Sequence, residues 1–550
     1  MIKQYITTCL NDIISKYSLS KGITDKIEFK VEIPPKNIEA DFAVNAPMLI
    51  AKRIRANPRF IAQEIINILS RELSDTIEEI KIAGAGFINF QVRDDVLYKE
   101  LITILKEKNK YGSIAGNKGS RILVEFVSAN PTGPLHIGHG RGAAIGDSIA
   151  RILKHLGYNV SKEYYLNDVG NQMSVLANSV EIRYRQLKGE KLDFPGDYYQ
   201  GNYITVIAER LINEGRKIEE IDFKTEAVKD ILKTIKSDLK DFAVEFDNWF
   251  SEGSIASAKD EDGRTDVDKV CHYLIKNGDA YEKDNALWLA STKFGDEKDR
   301  VLKRKDGRYT YLASDVAYHK NKFERGFERL VNLWGADHHG YVARIKACIQ
   351  MLGFNKDRLD IILYQLVSLV RNGQSIAMST RSGDFITLKS IIDEVGRDAC
   401  RFFFLLRAPD SQLEFDLELA KKQSNENPVF YVQYVNARCK SILRESKKRG
   451  NSAGKNVDFS LLSSKEERDL IKQLAAFCDT LALVEKTMSP HYFTAYLIEL
   501  ADIFHKFYEK CRVLTDNDAV TSARLKLVEA VGIIIQTGLG LLGVSSPDRM

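Results

Sequence analysis

The sequence predicts a multidomain α/β protein, in which a Rossmann-type parallel sheet split by an insertion is preceded by a small α+β domain and followed by an all-α domain. Three observations predict it. A buried-strand run, Ile122-Leu123-Val124-Glu125-Phe126, is followed by a Pro/Gly turn, a helix and a second strand. The same texture returns at 330–364, after a charged stretch from about 174 to 308. Beyond Ser411, apolar residues recur at helical spacing.

Composition bounds the reading first. The chain has 550 residues, of which 44% are hydrophobic and 28% charged, enough for several cores, and this excludes a disordered chain, a collagen or a disulfide scaffold. Eighty Lys and Arg against 76 Asp and Glu leave a net charge of +4, a weak global field, so any nucleic acid must be met by local patches. The seven cysteines are scattered without a CxxC pair, which reads as reduced thiols and argues against a zinc ribbon. Met1-Ile2-Lys3-Gln4 opens a polar amphipathic stretch with no signal-like apolar region. The uncharged stretch Ala530 to Pro547 contains Gln536, Thr537 and four glycines, and reads as a buried terminal helix rather than a membrane span. The expected location is cytoplasmic.

Along the chain, residues 1–112 read as the α+β domain. Ile6, Leu10, Ile13 and Ile14 mark one face of a first helix, and Gly86-Phe87-Ile88-Asn89-Phe90 reads as a strand. A turn-rich segment from Tyr111 to Ser120 separates it from the split sheet, expected over 118–410 with the insertion at about 174–308. After strand 122–126, a helix carrying Ile145, Ile149, Ile152, Leu153 and Leu156 stops at Gly157, and a strand follows at about 160–166. Leu330 to Trp334 reads as a strand ending at Gly335, with a helix bearing Val342, Ile345, Ile349 and Leu352 and the strand 361–364 behind it. Ile392, Val395, Ala399, Phe402 and Leu406 share one helical face. In the domain expected over 411–550, Leu470, Leu474, Phe477, Leu481 and Val484 follow a capping box, Ser464-x-x-Glu467, and Leu497, Leu500, Phe504 and Phe507 repeat the spacing.

The sharpest motif is Ala129-Asn130-Pro131-Thr132-Gly133-Pro134-Leu135-His136-Ile137-Gly138-His139, followed by Gly140. It stands where a strand ends and a helix begins, so unpaired N–H groups and the helix dipole favour an anion. Gly138 and Gly140 would let a phosphate and a purine approach the backbone, and His136 and His139 could stabilise charge on a triphosphate. A glycine-rich turn with two packing histidines is the plainer alternative. The second motif, Ala377-Met378-Ser379-Thr380-Arg381-Ser382-Gly383-Asp384, is a hydroxyl-rich cationic loop behind an Asn372-Gly373 turn and ahead of a helix, suited to a phosphate clamp or simply a loop. Asp337-His338-His339 does not make a metal site, because adjacent histidines do not project to one face. Tyr431, Tyr434, Asn436 and Arg438, with Lys440, Arg444, Lys447, Lys448 and Arg449 behind them, could stack bases and meet phosphates, or form a solvated helix face.

HIGH at 136–139 and a KMSKS-like loop at 377–381, in that order on a split Rossmann fold, resemble the class I aminoacyl-tRNA synthetases. The flanks 124–133, 163–170, 309–319 and 334–340 resemble the arginyl-tRNA synthetase family within that class. The resemblance implies an enzyme that activates arginine with ATP and passes it to tRNA(Arg), with Mg²⁺ carried by ATP, no zinc, no membrane, and activation that needs bound tRNA. It implies that Tyr311 and Asp315 hold the guanidinium, and that Asn130, Glu125 and Ser128 line the amino-acid site. It assigns catalysis to His136, His139, Ser379 and Arg381, and ATP binding to Pro131, Gly138, Gly335, Asp337, His338 and Met378 as well. The N-terminal domain becomes tRNA-contacting and the helical domain anticodon-binding, through Tyr431, Tyr434, Asn436 and Arg438; a monomer is expected.

The residues make physical sense for arginine, since a planar cation with five donors needs carboxylates and acceptors in a matching plane. Such a site can reject analogues by about 10⁴–10⁵, so no editing domain is required. On the residues alone, Glu125 reads equally as a strand-end ion pair and Asp315 as a helix-surface charge. One departure stands out: Ala377 and Thr380 occupy the places of both loop lysines, and Gly133 the place upstream of HIGH where some relatives carry one. Arg381 and Arg371 are the candidate replacement cations. A catalytically impaired tRNA-binding paralogue is the alternative this departure raises.

Overall fold

The computed structural model describes residues 2–35, 38–376, 386–450, 454 and 457–550. The N-terminal region begins with the helix Ile2–Ser20, whose Ile6, Leu10, Ile13 and Ile14 are buried as their spacing predicts. A four-stranded antiparallel sheet follows, in the order Val31–Glu32, Phe42–Val44, Phe87–Val92, Ile77–Ala83.

The central sheet has five parallel strands in the order Leu359–Tyr364, Arg329–Gly335, Arg121–Glu125, Asn159–Leu166, Asn248–Ser251. The chain runs outward from Arg121–Glu125 in one direction, then returns to its other side with Arg329–Gly335. Strand order therefore reverses between these two neighbours, and ligands bind in the crevice at the carboxyl ends of such a pair. Both sequence motifs that follow a strand, the HIGH turn and 335–341, leave from this crevice.

Three expectations are corrected. The insertion at about 174–308 is not one block, because Asn248–Ser251 pairs with Glu163–Leu166 and completes the main sheet. Ahead of it stand the helices Asn171–Leu187, Asn202–Asn213 and Phe223–Asp241; behind it lies a small antiparallel sheet of Ala280–Lys283, Ala286–Leu289 and Arg300–Lys303. Four residues at a sheet edge, one exposed and three half-buried, give too short a pattern to read, and ring contacts such as Trp249 on Tyr164 (4.3 Å between centroids) and Phe250 on Tyr318 (4.7 Å) mark the strand as packed. Next, the region after Ser411 opens on a strand, Leu413–Asp416, parallel to Val367–Arg371, before the helices begin. Finally, the face from Ile392 to Leu406 belongs to two helices, Leu388–Val395 and Arg397–Phe404, broken at Gly396 (φ 85°). The 470–484 face is likewise broken at Ala476, while its capping box forms as expected.

The carboxy-terminal helices include Pro428–Lys448, His491–Lys510 and Asp518–Leu541, the last buried along most of its length. No helix among the described residues is long and apolar enough to cross a membrane.

A buried charge cluster locks this bundle to the sheet. Asp147, on the helix Ile137–His155, accepts from Arg401 (2.7 Å), Arg151 (2.6 Å) and Lys162 (3.0 Å). The fully buried Arg401 also donates to the carbonyls of Phe242 (3.0 Å) and Leu542 (2.8 Å), so one guanidinium joins the helical insertion and the last helix to the helix that starts at HIGH. The three cations hold the Asp147 carboxyl below the usual carboxylate range despite its burial. Asp147→Ala would leave Arg401 buried without its counter-charge, and a loss of about 3–5 kcal/mol in urea unfolding is expected. A loss below about 1 kcal/mol would show that the cluster does not hold the domains together.

Candidate active site

The strand Arg121–Glu125 delivers Glu125 to the crevice, and the chain then turns sharply. Val127 (φ 68°) and Ser128 (φ 42°) are both left-handed, a strained conformation for a β-branched valine that the surroundings must impose. The Ser128 hydroxyl donates to Glu125 (3.2 Å) and accepts from the Tyr165 amide (3.1 Å), fixing the turn to the neighbouring strand. The other Glu125 oxygen takes the ammonium of Lys322, which is wholly buried and also donates to Asn332 (3.0 Å). Beyond it, the Asn332 amide bonds His319 (2.9 Å), whose Nδ1 faces the Asp315 carbonyl (2.8 Å). Burial and the Lys322 charge push the His319 imidazole down to about 3, so it is neutral, donates from Nδ1 and accepts at Nε2. Glu125 is thus ion-paired at a strand end and also forms part of the crevice floor. Lys322 was invisible to sequence reading because a lysine on a helix is ordinarily solvated.

His136 is the N-cap of Ile137–His155. Its Nδ1 accepts from the Gly138 amide (3.1 Å), and the His139 Nδ1 accepts from the His136 amide (3.3 Å), closing a capping box made of two imidazoles stacked 3.7 Å apart. Burial lowers the pKa of both rings, that of His139 to about 3 with a further push from His136. A neutral ring accepting at Nδ1 carries its proton on Nε2, so each histidine offers the crevice a neutral N–H donor. This narrows the sequence reading, which left them neutral or cationic.

The glycines also have packing reasons. A Cβ on Gly138 would stand 3.0 Å from the His136 ring, and one on Gly140 would stand 2.6 Å from Leu388 and 3.1 Å from Phe404. Helix packing thus requires a small residue at Gly140, and the histidine cap one at Gly138. Asn130 is exposed and donates to Gln172 (2.8 Å); Pro131 is buried beside it.

Asp315 stands half-buried on the helix Tyr311–Glu324 and accepts from the Tyr341 hydroxyl (2.5 Å). Burial, with the negative charges of Glu125 and Glu252 behind it, pushes its carboxyl up to about 7, while the Tyr341 bond and Lys322 oppose the rise. Glu252 was missed in the sequence. It is buried, its carboxyl is raised by burial and by Asp168, and it is hydrogen-bonded by Ser314 and Tyr165. Asp168 pins it from both sides, accepting from the Ser251 hydroxyl (2.5 Å) and the Gly253 amide (3.0 Å). Glu252 directly follows the unrecognised edge strand; reading Trp249-Phe250 as a strand would have placed this carboxylate at the sheet's carboxyl end. Tyr311 is 65% exposed and borders a cavity of about 280 Å³ with Tyr341, Arg300 and Arg344.

Gly335 ends the next strand, and a Cβ there would strike Asp337 (2.4 Å). Asp337 and His338 sit exposed on the turn Ala336–Tyr341, at the mouth of the crevice. Ala377, Met378, Ser379, Thr380 and Arg381 lie outside the described residues. The segments on either side are described. The hairpin Val367–Arg371 and Gln374–Ile376 turns at Asn372-Gly373, both with positive φ, as a two-residue loop of this kind requires. On the far side, Thr387 bridges to His136, and the Leu388 amide donates to the Leu135 carbonyl (2.8 Å). Arg371 is held by both oxygens of Glu394 (2.6 and 2.7 Å). Arg141, fully buried two residues past HIGH, donates to the carbonyls of Gln365 (2.7 Å), Ser411 (2.8 Å) and Ala408 (2.9 Å), tying both ends of this segment to the HIGH helix.

In the helical domain, the half-buried Tyr431, Tyr434 and Arg438 share one face with His505 and the exposed Tyr508. Arg438 lies over the rings of Tyr434 (5.0 Å) and Tyr508 (4.9 Å), and Tyr431 packs on His505 (4.7 Å). Asn436 does not join them. It is fully buried and its amide holds the carbonyls of Ser546 (3.0 Å) and Pro547 (2.9 Å), so it fastens the chain end and is unavailable to a base. Among the described residues, no group of three His, Cys, Asp or Glu side chains is placed to hold a metal ion.

A parallel sheet with a HIGH capping box at its switch point and a helical bundle behind it is the architecture of a class I tRNA synthetase, and residues 100–404 match the family description "tRNA synthetases class I (R), catalytic domain". Residues 1–92 match "Arginyl tRNA synthetase N terminal domain" and residues 432–550 "DALR anticodon binding domain". The "Arginine--tRNA ligase" of Desulfosudis oleivorans is 47% identical over 95% of each chain, and that of Syntrophotalea carbinolica 45% identical over 100% of this chain and 99% of its own. The solved Thermus thermophilus arginyl-tRNA synthetase has the same fold, with a TM-score of 0.78 over 99% of this chain and 100% of its own at 22% identity. The chain belongs to the arginyl-tRNA synthetase family.

Proposed function

We propose that the protein is an arginine–tRNA ligase, which joins arginine to ATP as arginyl-adenylate, releases pyrophosphate, and transfers the arginyl group to the 3′-terminal ribose of tRNA(Arg). The observation that carries this reading is the placement of Asp315, Glu252 and Glu125 around one crevice, with a single buried lysine among them, next to two neutral N–H donors. An acidic site whose carboxyl is held up near 7 lacks a cation, and a guanidinium supplies one with donors for several acceptors. Asp315 and Tyr311 hold the guanidinium, and Glu252 joins them. Asn130 and Ser128 line the amino-acid end.

Attack of the arginine carboxylate on the α-phosphorus builds negative charge on the phosphate oxygens. The Nε2–H groups of His136 and His139 meet that charge without proton transfer, held in place by the backbone bonds of the cap. Gly335, Asp337 and His338 border the adenosine side with Pro131 and Gly138, and Met378, Ser379 and Arg381 belong to the loop that contacts the phosphates. Mg²⁺ would arrive with ATP and would help to neutralise the phosphate charge, and few protein ligands would be needed for it. Tyr431, Tyr434 and Arg438 receive unpaired tRNA bases. The domains divide near 112 and 411, the protein works as a monomer, and its place is the cytoplasm. An impaired paralogue finds no support in relatives matched over nearly their full length under the ligase name.

ATP–pyrophosphate exchange with arginine, with and without tRNA(Arg) and with lysine as control, tests the reading. Exchange that requires arginine and tRNA is expected. Equal exchange with lysine, or none under any condition, would defeat it.

A further inference from the structure

A second cavity lies far from the sheet crevice in the fold. It has a volume of about 450 Å³ and runs between the helices Pro428–Lys448 and Asp518–Leu541. Its floor is apolar, made by Cys439, Leu443, Leu525 and Ile533, with Gly532 beside them. Its rim is cationic, with four lysines, Lys108, Lys440, Lys447 and Lys526, against one glutamate. Lys526 is engaged by that glutamate, Glu529, at 2.8 Å, and among the described residues Lys108, Lys440 and Lys447 have no acidic partner.

Two features of the rim define the ligand. Lys440 and Lys447 stand seven residues apart on one helix face, about 10 Å by helical rise, so their charges are spread along the groove rather than rooted at one point. Lys108 comes from the other end of the chain. It is the C-cap of the helix Asp94–Glu107, with positive φ (55°), so the groove is shared between the region leading out of the N-terminal domain and the C-terminal bundle. An extended polyanion meets cations spread in this way, and an enclosed apolar floor asks for one flat, uncharged group between its phosphates.

We propose that this groove takes one unpaired nucleotide of an RNA strand, its base on the Leu443 and Ile533 floor and its flanking phosphates at Lys108, Lys440 and Lys447. The site is distinct from the aromatic face of Tyr431, Tyr434 and Arg438, and it rests on the reading that tRNA is a substrate. Phosphate contacts release counterions, so each lysine engaged steepens the dependence of affinity on salt by about 0.7 in logarithmic slope for a single strand.

The test uses the full chain, its Lys440→Ala/Lys447→Ala double variant and Lys108→Ala. Affinity for tRNA(Arg) is measured from about 50 to 200 mM salt by filter binding, a range over which a multi-phosphate contact changes strongly. The double variant is expected to bind about tenfold more weakly at the low-salt end, with a slope shallower by about 1.4, and Lys108→Ala to lose about half as much slope. All three lysines stand at the rim, and an unchanged thermal melt checks that folding is intact. A slope and affinity equal to those of the parent would overturn the proposal while parent charging of tRNA leaves the ligase reading standing; failure of the parent to bind or charge tRNA would instead defeat that reading. AMP serves as the small-ligand probe. Binding of AMP that depends on these lysines, with tRNA affinity unaffected by their removal, would make the groove a free-nucleotide site and also overturn the proposal.

Discussion

Asp315→Asn should lower kcat/KM for arginine about a thousandfold, equivalent to about 4 kcal/mol, with most of the loss in KM. The asparagine keeps the shape and can still accept from Tyr341, so the change isolates the charge. The same carboxyl predicts a pH profile for the unmodified enzyme. Because burial and its acidic neighbours hold it at about 7, it is largely protonated at pH 6 and ionised at pH 8. Only the ionised form pairs with a guanidinium, so kcat/KM for arginine should rise with pH through about 7 and then level, and the variant should lose that limb. The linkage to stability runs the other way. A carboxyl whose folded pKa lies above its unfolded value contributes stability that is intact below about 4 and lost as pH rises toward 7. Bound arginine should restore it, so the thermal shift produced by arginine should grow between pH 6 and pH 8. A flat arginine profile, together with an undiminished Asp315→Asn variant, would remove Asp315 from the pocket.

His139→Ala and His136→Ala should each slow adenylate formation by about 10²–10³ while leaving KM for arginine within a few-fold, the signature of a donor used chiefly in the transition state. Rapid-quench measurement of adenylate formation at saturating arginine and ATP checks this. His136→Ala should in addition lose an N-cap, about 1 kcal/mol of stability, because its ring accepts from the Gly138 amide. Since burial depresses both imidazoles, neither should introduce an inflection near pH 6.5 in kcat. Loss of activity on raising pH through 6.5, abolished in His139→Ala, would mean that a protonated histidine does the work.

Much of the site was legible because its residues carry period and chemistry in local sequence. The run 122–126, the turn and the helix face of Ile145, Ile149 and Ile152 announce a strand–turn–helix unit, and the unit forms with those residues buried. HIGH stood at its junction, where the dipole and free amides already favour an anion. Tyr311 and Asp315 fall on one helical turn, and Tyr341, which bonds Asp315, borders the same cavity as Tyr311. Glu252 and Lys322 were illegible for a shared reason. Each is an ordinary charged residue in a charged stretch, and its role comes from distant partners: Tyr165, Asp168 and Ser314 for Glu252, and Glu125, 197 positions earlier, for Lys322. Asn436 failed in the opposite sense: helical spacing beside tyrosines made it look like a base contact, and the returning chain end buried it.

The sequence by itself determined most of the elements of the first sheet unit, the switch-point motif and the family, because hydrophobic period, capping and glycine placement act within a few residues and need no knowledge of distant segments. Only the tertiary structure decided which strand completes the sheet, which charges are compensated and which proton each histidine carries. Burial and the field of neighbours control these outcomes. The Asp315 carboxyl is raised by carboxylates from two other strands' ends, and the capping amides leave Nε2 as the protonated nitrogen of each HIGH histidine. Such neighbours are brought together by the closing of the sheet, and no window along the chain contains them.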